Sequence, residues 1–168
     1  MKIGIISDSH GKSQTLKNAI SILLDAGAQA LVHCGDIESP QDVKYLASRG
    51  VPAYLAAGNC DRPYLAQYHK ISADTDLVFA EDFISVPIEN DKFLVASHGH
   101  RQLLVADLIE GEQFPFVCLG HSHIRMDRKL ANTRVLNPGS LYNPRERGKS
   151  VLLLDTKSGQ AKFFELDN

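Results

Sequence analysis

The residues able to do chemistry in this sequence fall into five short clusters: Asp8 with His10, Asp36, Asn59, His98, and His121 with His123. Their side chains offer carboxylate, amide and imidazole donors, a set that holds divalent transition metals. Singly, each has an ordinary explanation. An Asp in a tight turn caps its own backbone, and a lone histidine is more often solvated or internally satisfied than ligating. Jointly, seven donors exceed the roughly four ligands that one zinc takes. They suffice for two ions sharing one carboxylate. Glycines at positions 11, 35, 58, 99 and 120 flank the clusters. They permit tight turns and close approach of a substrate to the backbone.

Each cluster comes after a segment that reads as a strand. Lys2 to Ser7 is apolar on both faces, as in the middle of a covered parallel sheet. Ser13 is placed to cap a helix carrying Leu16, Ala19, Ile20, Leu23 and Leu24, with Gly27 at its end. Ala30 to Cys34 is the next strand. Ser39, Pro40 and Asp42 spell an N-cap, a first-turn proline and an acidic first turn. That helix stops near Gly50, and Val51 to Ala57 is the third strand. The opening third is therefore β-α-β-α-β, with parallel strands and right-handed crossovers. In open α/β sheets the carboxyl ends of strands form the ligand crevice, so the donors converge on one edge.

Beyond residue 60 the pattern changes. Asp61 and Pro63 open a short helix running through His69, and Leu77 to Ala80 is ambiguous. Phe83 to Ile88 and Lys92 to Ser97 form a hairpin around Asn90-Asp91. Leu103 to Ile109 is apolar enough for a buried helix. Phe114 to Leu119 is a strand, Arg125 to Leu130 pairs with Thr133 to Leu136, and Val151 to Asp155 pairs with Gln160 to Leu166.

A chain of 168 residues is one domain by its length, here taken as residues 1–168. A hydrophobic content of 43% buries an ordinary core. The net charge of -2, with no basic block, gives no strong nucleic-acid signal and none for a membrane surface. No apolar run approaches the roughly 20 residues of a membrane span. Cys34, Cys60 and Cys118 stand apart without a C-x-x-C pair, and the apolar opening is too short for a signal peptide. Both point to the cytoplasm.

Taken in order, Asp8-x-His10, Gly35-Asp36, Gly58-Asn59-x-Asp61, His98-Gly99 and Gly120-His121-x-His123 resemble the five blocks of the calcineurin-like metallophosphoesterase superfamily. The match is closest to its small single-domain prokaryotic phosphodiesterases, and Asn137-Pro138-Gly139-Ser140 is similar as well. The resemblance covers nearly the whole chain. It implies an α/β fold of two mixed β-sheets packed face to face with helices outside. It also implies that one metal takes Asp8, His10, Asp36 and His123. The second takes Asp36, Asn59, His98 and His121, so that Asp36 bridges. Two divalent ions, two aspartates and a bridging hydroxide leave the centre near +1, which suits a singly charged phosphodiester. Manganese is the expected ion, and iron, cobalt, nickel and zinc also fit the mixed donor set. The expected partner is a small phosphodiester, with a homo-oligomer left open.

The sequence departs from the family at one place. Many members carry a leaving-group histidine after the ligand Asn, and here that position is Cys60. A thiol is a weaker acid than a histidinium near neutrality. Cys60 and His100 are the candidates for catalytic roles, and Cys60 reads equally as a small buried hydrophobe. His33 reads as structural, His69 as surface, and Cys34 and Cys118 as core. Arg62, Arg125 and Arg145 are the cations available to a phosphate. Two other readings compete: a non-catalytic protein-binding scaffold of the same fold, and a phosphomonoesterase.

Overall fold

The computed structural model describes residues 1–145 and 148–166. The first third alternates as the apolar pattern requires. Strand β1 (Lys2–Ile6) leads to helix α1 (Ser13–Asp25), β2 (Ala30–His33), α2 (Pro40–Ala47) and β3 (Ala53–Ala56). The three strands pair in parallel. Helix α1 buries Leu16, Ala19, Ile20 and Leu23, and Gly27 leaves the helix at φ 90°. Ser13 does not cap that helix. It is the first helical residue, after Lys12, and its hydroxyl donates to the Asp42 carboxylate at 2.9 Å. Ser39 caps α2 as expected, accepting the Asp42 N–H at 3.2 Å. Asp42 thus ties the starts of the two helices together.

A 3₁₀ segment (Asn59–Tyr64) runs into α3 (Leu65–Asp74), and the ambiguous stretch after it is a short strand, β4 (Val78–Ala80), parallel to β3. The hairpin of β5 (Phe83–Pro87) and β6 (Phe93–Ser97) turns at Asn90 and Asp91, both left-handed. After it come α4 (Gln102–Glu110), β7 (Phe116–Cys118), β8 (Met126–Leu130), β9 (Thr133–Asn137), β10 (Ser150–Asp155) and β11 (Ala161–Glu165).

The strands form two mixed sheets, in the orders β11-β10-β1-β2-β3-β4 and β5-β6-β7-β9-β8. Ile3, Ile5, Val32, Leu94, Phe116, Leu136 and Leu152 interdigitate between them. Helices α1, α2 and α3 cover the outer face of the first sheet through Leu16, Leu23, Val43, Leu46, Tyr68 and Ile71. The outer face of the second meets α4 through Val95, Val117 and Leu108. The fold is therefore helices, sheet, sheet, helix, with the main core between the sheets.

Helix α4 is not the buried helix its composition suggests. Only Leu108 is fully covered, and Leu103 is 84% exposed. One side of the helix rests on the sheet, and nothing among the described residues lies above the other. No helix among the described residues is long and apolar enough to cross a membrane.

Candidate metal centre

The carboxyl ends of β1, β2, β3, β6 and β7 meet at one edge, and the chain leaves several of them through left-handed residues. Asp8, His10, Asp36, His121 and His123 have φ values of 53°, 44°, 55°, 63° and 58°. Asp and His tolerate this region better than most side chains. Such strain gathers where a site over-determines the backbone. The loops after β1 and β2 are laced together: Asp8, His10 and Gly11 N–H groups donate to the carbonyls of Gly35, Asp36 and Ile37 at 2.9–3.0 Å.

Two of the flanking glycines admit the site's own side chains rather than only a substrate. A Cβ on Gly58 would lie 2.0 Å from Asp36 Oδ1, and one on Gly120 would lie 1.9 Å from Ser7 Oγ. Ser7 in turn donates to Asp8 Oδ2 at 2.5 Å, and the His121 N–H donates to the same oxygen at 3.0 Å. This fixes the Asp8 carboxylate and leaves Oδ1 free.

Around Asp8 Oδ1 the imidazoles converge. His123 Nε2 is 3.1 Å away, His10 Nε2 3.8 Å and His98 Nε2 4.0 Å. Asp36 Oδ2 sits 3.2 Å from His98 Nε2 and 3.9 Å from His10 Nε2, between the two rings, where a shared carboxylate would stand. Ligand atoms of Asp8, His10 and His123 lie within 4.8 Å of one another, and so do those of Asp8, Asp36 and His98. Asp8 Oδ1, His10 Nε2 and His98 Nε2 are buried and have no hydrogen-bond partner. Buried polar atoms of this kind rarely go unpaired, and three aimed at one space fit a cation.

The other ring nitrogens are already engaged. His98 Nδ1 meets the Cys34 carbonyl and His123 Nδ1 the Asn143 carbonyl, each at 2.8 Å, while His10 Nδ1 meets the Glu38 carboxylate. A carbonyl only accepts, so Nδ1 of His98 and His123 carries the hydrogen and Nε2 presents its lone pair. Asn59 and His121 stand on the open side of this cluster. The Asn59 amide donates to Cys60 Sγ at 3.3 Å, and the His121 ring centroid is 5.1 Å from that of His98.

The electrostatics match a cation-binding cleft. Burial works against the Asp36 carboxylate, yet the His98 ring and the Cys60 N–H hold its pKa well below the usual carboxylate range. Burial likewise opposes a charged His98, but Asp36 and Asp8 raise its pKa. The Asp8 carboxylate raises His123. A metal arriving at these ligands displaces protons, so affinity falls as pH drops. His121 and His100 are lowered, first by burial and then by His98. Cys60 is half-buried, and burial together with Asp36 and Glu38 pushes its thiol up to about 12.

The remaining sequence candidates separate cleanly. His33 is fully buried, shares a hydrogen bond with Ser9 Oγ at 3.1 Å, and is pushed by burial down to about 3. His69 is on the surface, paired with Glu81. Cys34 and Cys118 are core. Arg125 is spent on Ser150, Glu165 and the Gly148 carbonyl. Arg145 is exposed, and its backbone N–H reaches the His123 carbonyl at 3.4 Å.

Two residues that matter here have roles that the sequence does not assign. Asp61, the last residue of the Gly58-Asn59-x-Asp61 block and expected to open a helix, accepts the N–H groups of Asp36, Glu38 and Gly58, each at 2.8 Å, and the Tyr68 hydroxyl at 3.1 Å. Glu38 orients His10 from a left-handed position two residues after Asp36. For Asp61 the block marks the position but not the role, and for Glu38 the only sequence signal is proximity to Asp36.

Known proteins align along this frame. The chain is 30% identical over 169 residues to "Phosphodiesterase MJ0936" of Methanocaldococcus jannaschii, covering 99% of this chain and 100% of that protein. It is 29% identical over 177 residues to "Probable metallophosphoesterase YsnB" of Bacillus subtilis, covering 98% and 91%. A solved archaeal phosphodiesterase superposes with a TM-score of 0.84 at 29% identity, covering 99% of this chain and 100% of that one. The family model of the calcineurin-like phosphoesterase superfamily domain matches residues 1–159, and the chain belongs to that superfamily.

Proposed function

We propose that residues 1–168 form a single unit that hydrolyses phosphodiesters with two divalent metal ions. The observation that carries this reading is the convergence of three buried, unpartnered donor atoms, Asp8 Oδ1, His10 Nε2 and His98 Nε2, on one space. Asp8, His10, Asp36 and His123 would hold one ion, and Asp36, Asn59, His98 and His121 the other, with Asp36 shared. The donor set suits manganese, and also iron, cobalt, nickel or zinc. Once bound, two such ions would lower the pKa of a water so that it serves as a hydroxide nucleophile, and would supply charge to neutralise the phosphoryl oxygens.

The chain's own residues do the rest. Asp36 stays ionised across the working pH range because His98 and the Cys60 N–H hold it so. His98 and His123 keep Nε2 facing inward through their Nδ1 bonds to carbonyls. His100, two residues beyond His98 with its Nδ1 buried and unpartnered, would meet the substrate. The name of the M. jannaschii relative supports the diester substrate. Three free cysteines support a reducing cytoplasm.

The test is direct. Protein stripped with a chelator should lose hydrolysis of bis(4-nitrophenyl) phosphate and regain it with manganese. No turnover on any activated diester or monoester, with two metals per chain confirmed by elemental analysis, would leave the non-catalytic scaffold as the reading.

A further inference from the structure

We propose that the groove beside Asn59 and His100 receives the part of the substrate beyond the scissile phosphate, and that this part carries a second oxyanion, which Arg62 binds. The inference rests on the phosphodiesterase reading for its substrate, and on the groove's own chemistry for everything else.

The groove has a volume of about 500 Å³ and opens next to the metal centre. Ala57, Gly58 and Leu65 line its uncharged part, and Arg62, Arg101, Glu81 and Asp82 supply its charges. Two of those four charges, Arg101 and Asp82, already match each other. Arg101 pairs with Asp82 at 2.6 Å, and Glu81 pairs with His69 at 2.8 Å. Arg62 is exposed and has no ion-pair partner among the described residues. Of the groove's two guanidinium groups, Arg62 is therefore the one without an ion pair among the described residues.

Its position is set by the backbone. Asn59 and Arg62 both lie in the 3₁₀ segment Asn59–Tyr64. In a 3₁₀ helix residues i and i+3 eclipse, so Arg62 stands on the same face as Asn59, one turn further from the cluster. The proline next to it, Pro63, stiffens that turn. His100 lines the same groove, two residues beyond His98.

The groove beside His123 lacks this chemistry. It is about 180 Å³, and its arginine, Arg125, is held by three bonds within the protein. The scissile phosphate would lie among the candidate ligands. A free guanidinium one turn away matches a further oxyanion, since its planar fork pairs with phosphate or carboxylate in two parallel bonds.

The experiment measures binding to the manganese-loaded protein by calorimetry, with phenyl phosphate, 4-carboxyphenyl phosphate and 4-phosphonophenyl phosphate as probes. The wild type should bind at least one of the two probes that carry a second anionic group about tenfold more tightly than phenyl phosphate. The better probe tells carboxylate from phosphate. Arg62→Gln should shrink that preference to less than about threefold, and Arg62→Lys should restore part of it, with unchanged melting temperatures showing that both variants fold. Equal binding of all three probes by the wild type overturns the proposal. So does an Arg62→Gln variant that keeps the preference, or that weakens phenyl phosphate as much as the others, which would put Arg62 on the scissile phosphate. If the preference holds in a protein that hydrolyses no diester, the groove stands and the phosphodiesterase reading falls. If diesters are hydrolysed without the preference, the reverse is true.

Discussion

Asp61 should prove as important to the centre as a ligand, although it faces away from the open space. Its two oxygens accept three backbone N–H groups, those of Asp36, Glu38 and Gly58, and the buried Tyr68 hydroxyl. One carboxylate thus holds the loop after β2 against the turn after β3. Asp61→Ala leaves all four donors without an acceptor. At about 1 kcal/mol for each lost bond the total is about 4 kcal/mol. Removing a buried anion returns part of this, because its desolvation no longer opposes folding. The expected net loss is about 3 kcal/mol. Asp61→Asn keeps one acceptor oxygen but turns an amide N–H₂ toward donors, so it should fall between wild type and Ala. The assay is urea unfolding of the chelator-treated protein, with metal content measured after manganese loading. Asp61→Ala should unfold at a markedly lower urea concentration and bind fewer than two metals per chain. A loss under about 1 kcal/mol together with two retained metals would refute the argument, since the loops would then hold their geometry without the carboxylate.

Three more outcomes are expected of the site and its surroundings. A thiol near pKa 12 is a poor proton donor, so Cys60→Ala should keep aryl-diester kcat/KM within about tenfold, well short of the roughly 10²–10⁴ of a general acid. Cys60→His should raise activity on poor leaving groups more than on good ones, and a collapse of Cys60→Ala on every ester with metals bound would make the thiol catalytic. Gly58→Ala places a Cβ against Asp36 Oδ1; it should lower stability by about 1–3 kcal/mol and reduce metal content, and wild-type metal content would contradict this. His33 titrates near pH 6.5 when unfolded but only near 3 in the fold, so its contribution is full above pH 6.5 and is lost as pH falls toward 3. In chelator-treated protein, stability should drop between pH 7 and 4.5 by about 2 kcal/mol more in wild type than in His33→Gln, and equal slopes would refute it.

Much of the centre is legible in the sequence because the ligand candidates are polar residues at the ends of apolar runs. Lys2 to Ser7 and Ala30 to Cys34 announce strands, and the residues just past each run stand out as acids or histidines. The parallel order of β1, β2 and β3 came from helical spacing between them. The antiparallel seating of β10 beside β1 did not, because no local pattern says which sheet a closing hairpin joins. Asp61 and Glu38 were obscure for a related reason. Their roles depend on reaching partners across a loop, and a carboxylate that will accept buried N–H groups looks like any surface acid. The α4 composition misled because an apolar helix signals burial only when a second layer exists to bury it. At Ser13 an N-cap residue type was right for a helix start, but a longer-range partner, Asp42, claimed the hydroxyl.

The seating of β1 between β2 and β10 also sets when the centre can exist during synthesis. Lys2 to Ile5 pair with Leu152 to Asp155 on one side and, from Ile3 onward, with Ala30 to His33 on the other. The strand that delivers Asp8 and His10 is made well before one of its two neighbours, β10. His98, His121 and His123 arrive late as well. A nascent chain therefore offers a metal only an incomplete claw until residues near 155 are available. Contacts between such distant parts of the chain slow folding, so ion capture belongs to the end of folding rather than its start.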